Sequence, residues 1–396
     1  VFKISHCDEK ARVGVLQTPH GRIETPAFVA VGTQGSVKAL TPQDLREIGV
    51  QVIIANTYHL HLRPGEEVIE KMGGLHKFMC WDGPLMTDSG GFQIFSLGVA
   101  KEHGVGKIAS IFPEEDRGGH LRRKKARAKG ESLVEVDDEG VSFRSHIDGS
   151  RLKFTPQKVI EIQRKLGADI ILALDECTSP LHGYDYTKEA MERTHRWAIR
   201  CLEAFESKNQ ALFGIVQGGS FKDLREKSAK FIGKMGFDGI AIGGSLGKSK
   251  QEMHLVLEWT IPHLPEGAPR HLLGIGEVED IFEVVERGVD LFDCVAPTRM
   301  ARGGTLFVKE GDRFRLNVLA AKYKEDPKPV EENCGCYTCQ HYSRAYLRHL
   351  FMAKEPLAMR LATIHNLHFI EKLVGEIREA IKGKYFKDLK REYVRF

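Results

Sequence analysis

The chain has 396 residues, 42% of them hydrophobic, with 58 Lys and Arg against 54 Asp and Glu. That is enough chain for a large barrel-sized core plus a smaller module. The formal charge of +4 is too near balance to announce a nucleic-acid binder by itself.

In chain order, short apolar, β-branched runs recur, each followed by Gly or polar residues and then by a helical pattern. They fall at Ala27–Val31, Val52–Ala55, Pro84–Thr87, Ile170–Leu174, Ala211–Val216, Gly239–Ile242, His271–Ile275 and Val289–Phe292. Continuous apolar runs are the signature of parallel strands buried on both faces, and their alternation with helices implies βαβ units. Eight such units predict an α/β fold of the (β/α)8 TIM-barrel type.

The runs end in Asn56-Thr57-Tyr58, Asp88-Ser89-Gly90-Gly91, Asp175-Glu176-Cys177, Gln217-Gly218-Gly219, Gly243-Gly244-Ser245, Gly274-Ile275-Gly276 and Asp293-Cys294. Active sites of such barrels lie at the C-terminal ends of the strands. Asp88, Asp175 and Asp293 all fall there. An Asp at a strand end also serves as a helix N-cap, but three of them beside small residues favour a shared pocket.

Residues 99–140 carry Gly and charge runs without lasting periodicity and read as an insertion after the third strand. Its basic part, about 99–132, includes Arg117, Arg122, Arg123, Lys124, Lys125, Arg127 and Lys129. Such a patch either tracks phosphates or is simply solvated, and the sequence leaves both open. Residues 300–355 leave the barrel rhythm again. From Leu357 onward, Leu361, Ile364, Leu367, Ile370, Val374, Ile377 and Ile381 step at the period of one long amphipathic helix. A basic tail with Lys384, Lys387, Lys390, Arg391 and Arg395 follows.

Between these segments Cys334, Cys336 and Cys339 form C-x-C-x2-C, and His365 follows on the long helix. Three thiolates and one imidazole complete a closed tetrahedral Zn2+ site, which holds a fold together and leaves no open position for chemistry. His368, one helical turn on, is an alternative fourth ligand. No apolar run approaches the roughly 20 residues of a membrane span, and nothing N-terminal reads as a signal peptide. A reducing, cytoplasmic setting is expected, where clustered cysteines mean metal more often than disulfide. The expected organisation is a catalytic barrel over 1–300, a zinc-binding subdomain over 301–365, and the last barrel helix with the basic tail over 366–396.

Together these motifs resemble the tRNA-guanine transglycosylases, also called queuine tRNA-ribosyltransferases. The resemblance runs through Asn56-Thr57-Tyr58-His59-Leu60, Leu62-Arg63-Pro64-Gly65, Thr87-Asp88-Ser89-Gly90-Gly91-Phe92-Gln93, Asp175-Glu176-Cys177, Gln217-Gly218-Gly219, Phe292-Asp293-Cys294-Val295, Pro297-Thr298-Arg299 and the Cys334, Cys336, Cys339, His365 set. It implies an irregular barrel with the zinc module inserted before the last barrel helix. The implied reaction exchanges guanine at the wobble position of tRNAs with GUN anticodons (the Asp, Asn, His and Tyr isoacceptors) for a 7-deazaguanine, in queuosine biosynthesis. It implies Asp293 as nucleophile toward the ribose and Asp88 as general acid and base. Asp175 would read the guanine edge, with Ser89, Gln217 and the backbone of Gly244 completing the base pocket. Phe92 would stack on the base, Leu273 and Gly274 would line the other wall, and Arg299 and Arg302 would hold phosphates. One structural Zn2+ per chain and a homodimer, with Tyr342, Tyr346, His349 and Phe78 near its interface, are further implications.

Two departures from the family pattern stand out. After the sixth strand the chain reads Gly243-Gly244-Ser245-Leu246-Gly247-Lys248-Ser249, where bacterial members usually have valine at the position of Gly247 and glutamate at that of Ser249. The resemblance implies 7-aminomethyl-7-deazaguanine as the incoming base; Gly247 motivates the alternative that the pocket is enlarged for queuine. The basic insertion is longer than usual. Three rivals are weighed on residues: a non-catalytic partner subunit, disfavoured by Asp88 and Asp293; a metal-dependent hydrolase using His59 and His61; and an archaeal relative acting elsewhere in tRNA, which usually carries further RNA-binding domains.

Overall fold

Eight short parallel strands close into a barrel in the computed structural model, which describes residues 1–95, 134–244 and 246–394. The strands are β1 (Ala27–Val31), β2 (Val52–Ala55), β3 (Leu85–Thr87), β4 (Ile170–Leu172), β5 (Ala211–Val216), β6 (Gly239–Ile242), β7 (Arg270–Leu273) and β8 (Leu291–Asp293). Each pairs in parallel with its neighbours in chain order, and β8 pairs with β1 to close the ring. Every apolar run singled out from the sequence is one of these strands. The readings made for the basic insertion at 99–132 lie outside the described residues.

The inward positions form one apolar layer: Ala27, Val29, Val52, Ile54, Met86, Ile170, Leu172, Phe213, Ile215, Ala241 and Leu291. Leu16 and Ile23 belong to the same cluster. They come from an antiparallel sheet of Phe2–Asp8, Ala11–Thr18 and Gly21–Thr25 that closes the floor of the barrel. At that floor Asp169 accepts from the backbone of Leu85 (2.8 Å) and His20 (3.3 Å), from His20 Nδ1 (2.8 Å) and from His76 Nε2 (3.2 Å). The two imidazoles stack with ring centroids 3.5 Å apart. Nearly parallel rings cannot aim both lone pairs at one ion, so this cluster is a hydrogen-bonded bracket between sheet, helix and strand.

A second antiparallel sheet (Val134–Asp137, Gly140–Arg144, Arg151–Phe154) stands between β3 and β4. Sequence periodicity alone did not reveal it. Its Phe143 and Phe154 are buried and meet edge to face, and Phe143 lies against Tyr58. The wall of the site after β2 is thus propped from behind by this sheet.

The long helix runs from Pro356 to Gly383, with Leu361, Ile364, Leu367, Ile370, Val374, Ile377 and Ile381 all buried as their period requires. The basic segment after it is a second helix, Phe386–Tyr393, whose Phe386, Leu389 and Tyr393 are buried. Its cations are committed to acids: Lys387 to Glu9, Lys390 to Glu283 and Glu286, Arg391 to Asp388. Amphipathic packing, with one face apolar, orders a stretch whose composition reads as a solvated tail.

Candidate active site

The polar residues that end the strands converge at the C-terminal mouth of the barrel. Asp88 follows β3, and its own N–H donates to Ala55 O at the end of β2 (3.2 Å). Its carboxylate takes Thr57 N–H (3.0 Å) and Gly90 N–H (3.1 Å) on Oδ1, and Asn56 Nδ2–H (2.5 Å) on Oδ2. Asn56 holds this pose because its Oδ1 caps the helix Thr57–Leu62 by accepting from His59 N–H. Burial pushes the carboxyl of Asp88 up to about 7; the three donors pull against that rise, and the charge of nearby Asp293 adds to it. A carboxyl poised there can both give and take a proton near neutrality.

Asp175, beyond the end of β4, is buried. It accepts from Ser89 Oγ–H (3.1 Å) and from Gln217 Nε2–H (2.6 Å). Burial raises it to about 6, the two donors lower it, and the adjacent Glu176 raises it. It is therefore mainly a carboxylate at neutral pH, able to accept from paired N–H donors. Gln217 is held from below: Ser228 Oγ accepts its backbone N–H (3.1 Å), and the buried Arg225 binds the carbonyls of Val216 and Gly219 on either side. Gly244 lies against the Gln217 amide. A Cβ at Gly244 would stand 2.0 Å from Gln217 Oε1. Gly91 meets the Asp175 backbone in the same way, at 2.8 Å.

Asp293 ends β8, in register with Leu273, which ends β7. Its Oδ1 lies 3.0 Å from His271 Nε2. Phe92 is 50% exposed on the helix that begins at Gly91, free to meet a flat ligand at the mouth. Arg299 and Arg302 lie on the short helix Ala296–Arg302, which follows Asp293 directly. Arg302 donates to Thr298 O (2.9 Å), and neither guanidinium has an acidic partner among the described residues. Two cations side by side without a carboxylate suit a polyanion.

The neighbouring cysteines are not nucleophiles. Burial pushes the Cys294 thiol up to about 12 and the Cys177 thiol higher still, so both stay protonated. His59 and His61 do not form a metal site among the described residues: His61 bonds Glu66 (2.6 Å), and neither histidine joins a group of three or more gathered ligand atoms. Gly247 has a local explanation. It sits at φ +101°, and a Cβ there would come within 2.4 Å of Glu252 Cβ. The Glu252 carboxylate accepts Lys248 N–H (2.8 Å), while Ser249 caps the following helix by accepting Glu252 N–H (3.3 Å). A side chain at Gly247 would require this turn or Glu252 to shift.

Cys334, Cys336, Cys339 and His365 bring their ligand atoms within 4.8 Å of one another. His365, not His368, is the histidine of this group. Its Nδ1 faces the three sulfurs, and its Nε2 lies 2.6 Å from Phe307 O. That bond puts the ring proton on Nε2 and frees Nδ1 as a ligand. Cys339 N–H also donates to Cys336 Sγ (3.3 Å). The donor set fits a closed Zn2+ site, which would fold the excursion onto the long helix. Asn366, next to His365 and fully buried, accepts Phe307 N–H and donates to Pro297 O and Thr305 O. The zinc site is thereby linked to the helix behind Asp293. The sequence alone gives no role to Asn56, Thr57, His271 or Asn366; the first two stand inside the Asn56-Thr57-Tyr58 motif, and the others carry no local signal.

The family model described as queuine tRNA-ribosyltransferase matches residues 7–111 and 126–396. A protein of Archaeoglobus fulgidus is 53% identical over 402 residues, covering 100% of this chain and 99% of its own length. Queuine tRNA-ribosyltransferases of Roseiflexus and of Caldanaerobacter subterraneus are 49% and 51% identical, over 97% and 98% of this chain and 96% and 94% of theirs. With a whole-length match and the strand-end carboxylates in one mouth, the chain belongs to the queuine tRNA-ribosyltransferase family and is an enzyme of the pentosyltransferase class.

Proposed function

We propose that this enzyme exchanges guanine at the wobble position of GUN-anticodon tRNAs for a 7-deazaguanine, through a covalent bond between Asp293 and the ribose. The observation that carries this reading is the division of labour among three carboxylates at one barrel mouth. Asp293 keeps 16% of its side chain open at the end of β8 and is oriented by His271. Asp88 sits close enough to feel its charge and titrates near neutrality. Asp175 is buried and aligned by two donors.

Breaking a C1′–N9 bond builds positive charge on the ribose, which a nearby carboxylate stabilises and then captures. Asp88 protonates the departing guanine and later takes the proton of the incoming base. Asp175 accepts from the ring N–H and exocyclic amine of guanine, a donor pair that adenine lacks. Ser89 and Gln217 hold that carboxylate, Gly244 offers its backbone, and Leu273 and Gly274 form a wall opposite Phe92. The base must leave its stack to reach this depth, and Arg299 and Arg302 grip phosphates around it. Zn2+ on Cys334, Cys336, Cys339 and His365 would supply structure, not chemistry.

The incoming base in this reading is 7-aminomethyl-7-deazaguanine, with queuine, for which Gly247 would enlarge the pocket, as the alternative. Comparing kcat/KM for that base and queuine tests it: a preference for queuine would overturn the choice. Self-association is expected through the aromatic face of the zinc module, where Tyr342 and Tyr346 stack at 5.5 Å and Tyr337 and Tyr346 are exposed. Light scattering of wild type and Tyr346→Asp would report it. The covalent step is tested by a denaturing gel of enzyme with labelled tRNA: a shifted band is expected with wild type and none with Asp293→Asn.

A further inference from the structure

β7 interrupts the apolar lining of the barrel at one point. His271 is in register with Ala241 of β6 and Leu291 of β8, both members of the closed interior layer. Leu273, two residues on and so on the same strand face, packs against that layer too. The His271 side chain is fully buried, and its Nδ1 has no hydrogen-bond partner among the described residues. An aliphatic residue would fill this layer without an orphaned polar atom. What the histidine adds is one contact, Nε2 to Asp293 Oδ1 at 3.0 Å. With no acceptor for Nδ1, the ring proton belongs on Nε2.

We infer that His271 is the positioning residue of the nucleophile, donating from Nε2 to Asp293 Oδ1 so that Oδ2 faces the ribose. This rests on the reading of Asp293 as nucleophile. In the first half-reaction Oδ2 bonds to C1′ as the C1′–N9 bond breaks. The electron pair leaves on guanine N9, which takes a proton from Asp88. In the second half the incoming base gives its N9 proton to Asp88 and bonds to C1′. The Oδ2–C1′ pair returns to Asp293, and the restored carboxylate again accepts the His271 proton. Because the donor binds a carboxylate more strongly than an ester, it favours breakdown of the adduct as well as fixing the attacking oxygen.

The test is His271→Phe, which removes the donor and keeps an aromatic ring, beside His271→Gln, which restores a donor. His271→Phe should lower kcat on the order of 10- to 100-fold, the range for a hydrogen bond to a charged group, with tRNA affinity by filter binding unchanged. Its trapped adduct should persist longer when free guanine is added, and His271→Gln should recover part of the rate. Both half-reactions of His271→Phe within twofold of wild type would overturn the inference, as would a filling defect that Gln does not relieve. If His271→Phe does not fold, the ring 15N shifts of wild type decide: a proton on Nε2 is expected, and one on Nδ1 would overturn it. A wild type that exchanges guanine without any covalent adduct would instead sink the nucleophile reading itself.

Discussion

Replacing Gly244 by alanine should blunt recognition of the base with little effect on tRNA. Gly244 sits at φ +76°, and its new Cβ would stand 2.0 Å from Gln217 Oε1 and 3.0 Å from Gln217 Cδ. Real Cβ atoms do not approach so closely, so the Gln217 amide must swing away. Its bond to Asp175, 2.6 Å long and to a charged acceptor, is then lost. A bond of that kind contributes about 1.5–3 kcal/mol, which converts to a rise in KM for guanine of roughly 10- to 150-fold. The left-handed backbone adds about 1–2 kcal/mol of strain to the folded state. With the lost bond to buried Asp175 the total is about 2.5–5 kcal/mol, which over a chain this long lowers Tm by roughly 3–6 °C, so folding is retained. Exchange of labelled guanine at varied base concentration gives KM, and scanning fluorimetry gives Tm. The effect should run through Gln217: in a Gln217→Ala background, Gly244→Ala should add little. A KM within twofold of wild type, or full additivity of the two substitutions, would refute the reasoning.

Three further outcomes follow from the same geometry. Asp88 is raised by burial to about 7, so the folded enzyme holds a proton that the unfolded chain releases near 3.8. The rate of adduct formation, which needs the acid, should fall as pH rises through about 7, and the base-incorporation step should rise; stability should decline as pH rises from about 4 to about 7 and level off above, by at most about 4 kcal/mol over the whole window and about 2–3 kcal/mol between pH 5 and 8, and less so in Asp88→Ala. Single-turnover profiles and urea melts at pH 5 and 8 read both. Stripping the metal with a strong chelator, or Cys336→Ser, should lower Tm and reduce exchange, because His365 and Asn366 tie the zinc site to the helix behind Asp293; full activity in protein shown metal-free by elemental analysis would contradict this. Arg193 donates to the fully buried carboxylate of Glu176, with Tyr186 OH on the other oxygen at 2.8 Å. Arg193→Met should cost about 3–5 kcal/mol by stranding that charge, and a denaturation midpoint equal to wild type would show the pair to be dispensable.

The barrel was legible because its strands are buried on both faces. Runs such as Ala211–Val216 contain no polar residue and end abruptly at Gln217, a signal that composition alone preserves. The long helix was equally plain, since seven apolar positions hold one period over its length. The antiparallel sheets were not. Phe2–Asp8 is largely exposed and carries His6 and Asp8 in an irregular register, so it presents no clean alternation. Strands Val134–Asp137 and Gly140–Arg144 are short, the first is half-exposed, and they adjoin a charge-rich stretch of sequence that hides them. The helix Phe386–Tyr393 was obscured by its cations, since the partners of Lys387 and Lys390 lie far away in sequence on Glu9, Glu283 and Glu286.

At the site, residue types and strand ends could be read in advance, but pairings could not. That His365 Nδ1 faces the sulfurs depends on Phe307 O, 58 residues away. That Asn56 serves both a helix cap and Asp88 depends on two strands coming side by side. Gly247 shows the converse: its positive φ and its closeness to Glu252 are features of the folded turn that the sequence does not display.

The most direct test of the central claim is incorporation of labelled guanine into a GUN-anticodon tRNA by wild type and by Asp293→Ala, both loaded with zinc. Exchange by wild type and its loss in the variant, with tRNA binding intact, is the predicted result. Exchange persisting in Asp293→Ala would contradict the account, because Asp88 and Asp175, the carboxylates left at the mouth, are assigned to proton transfer and to reading the base, not to capturing the ribose.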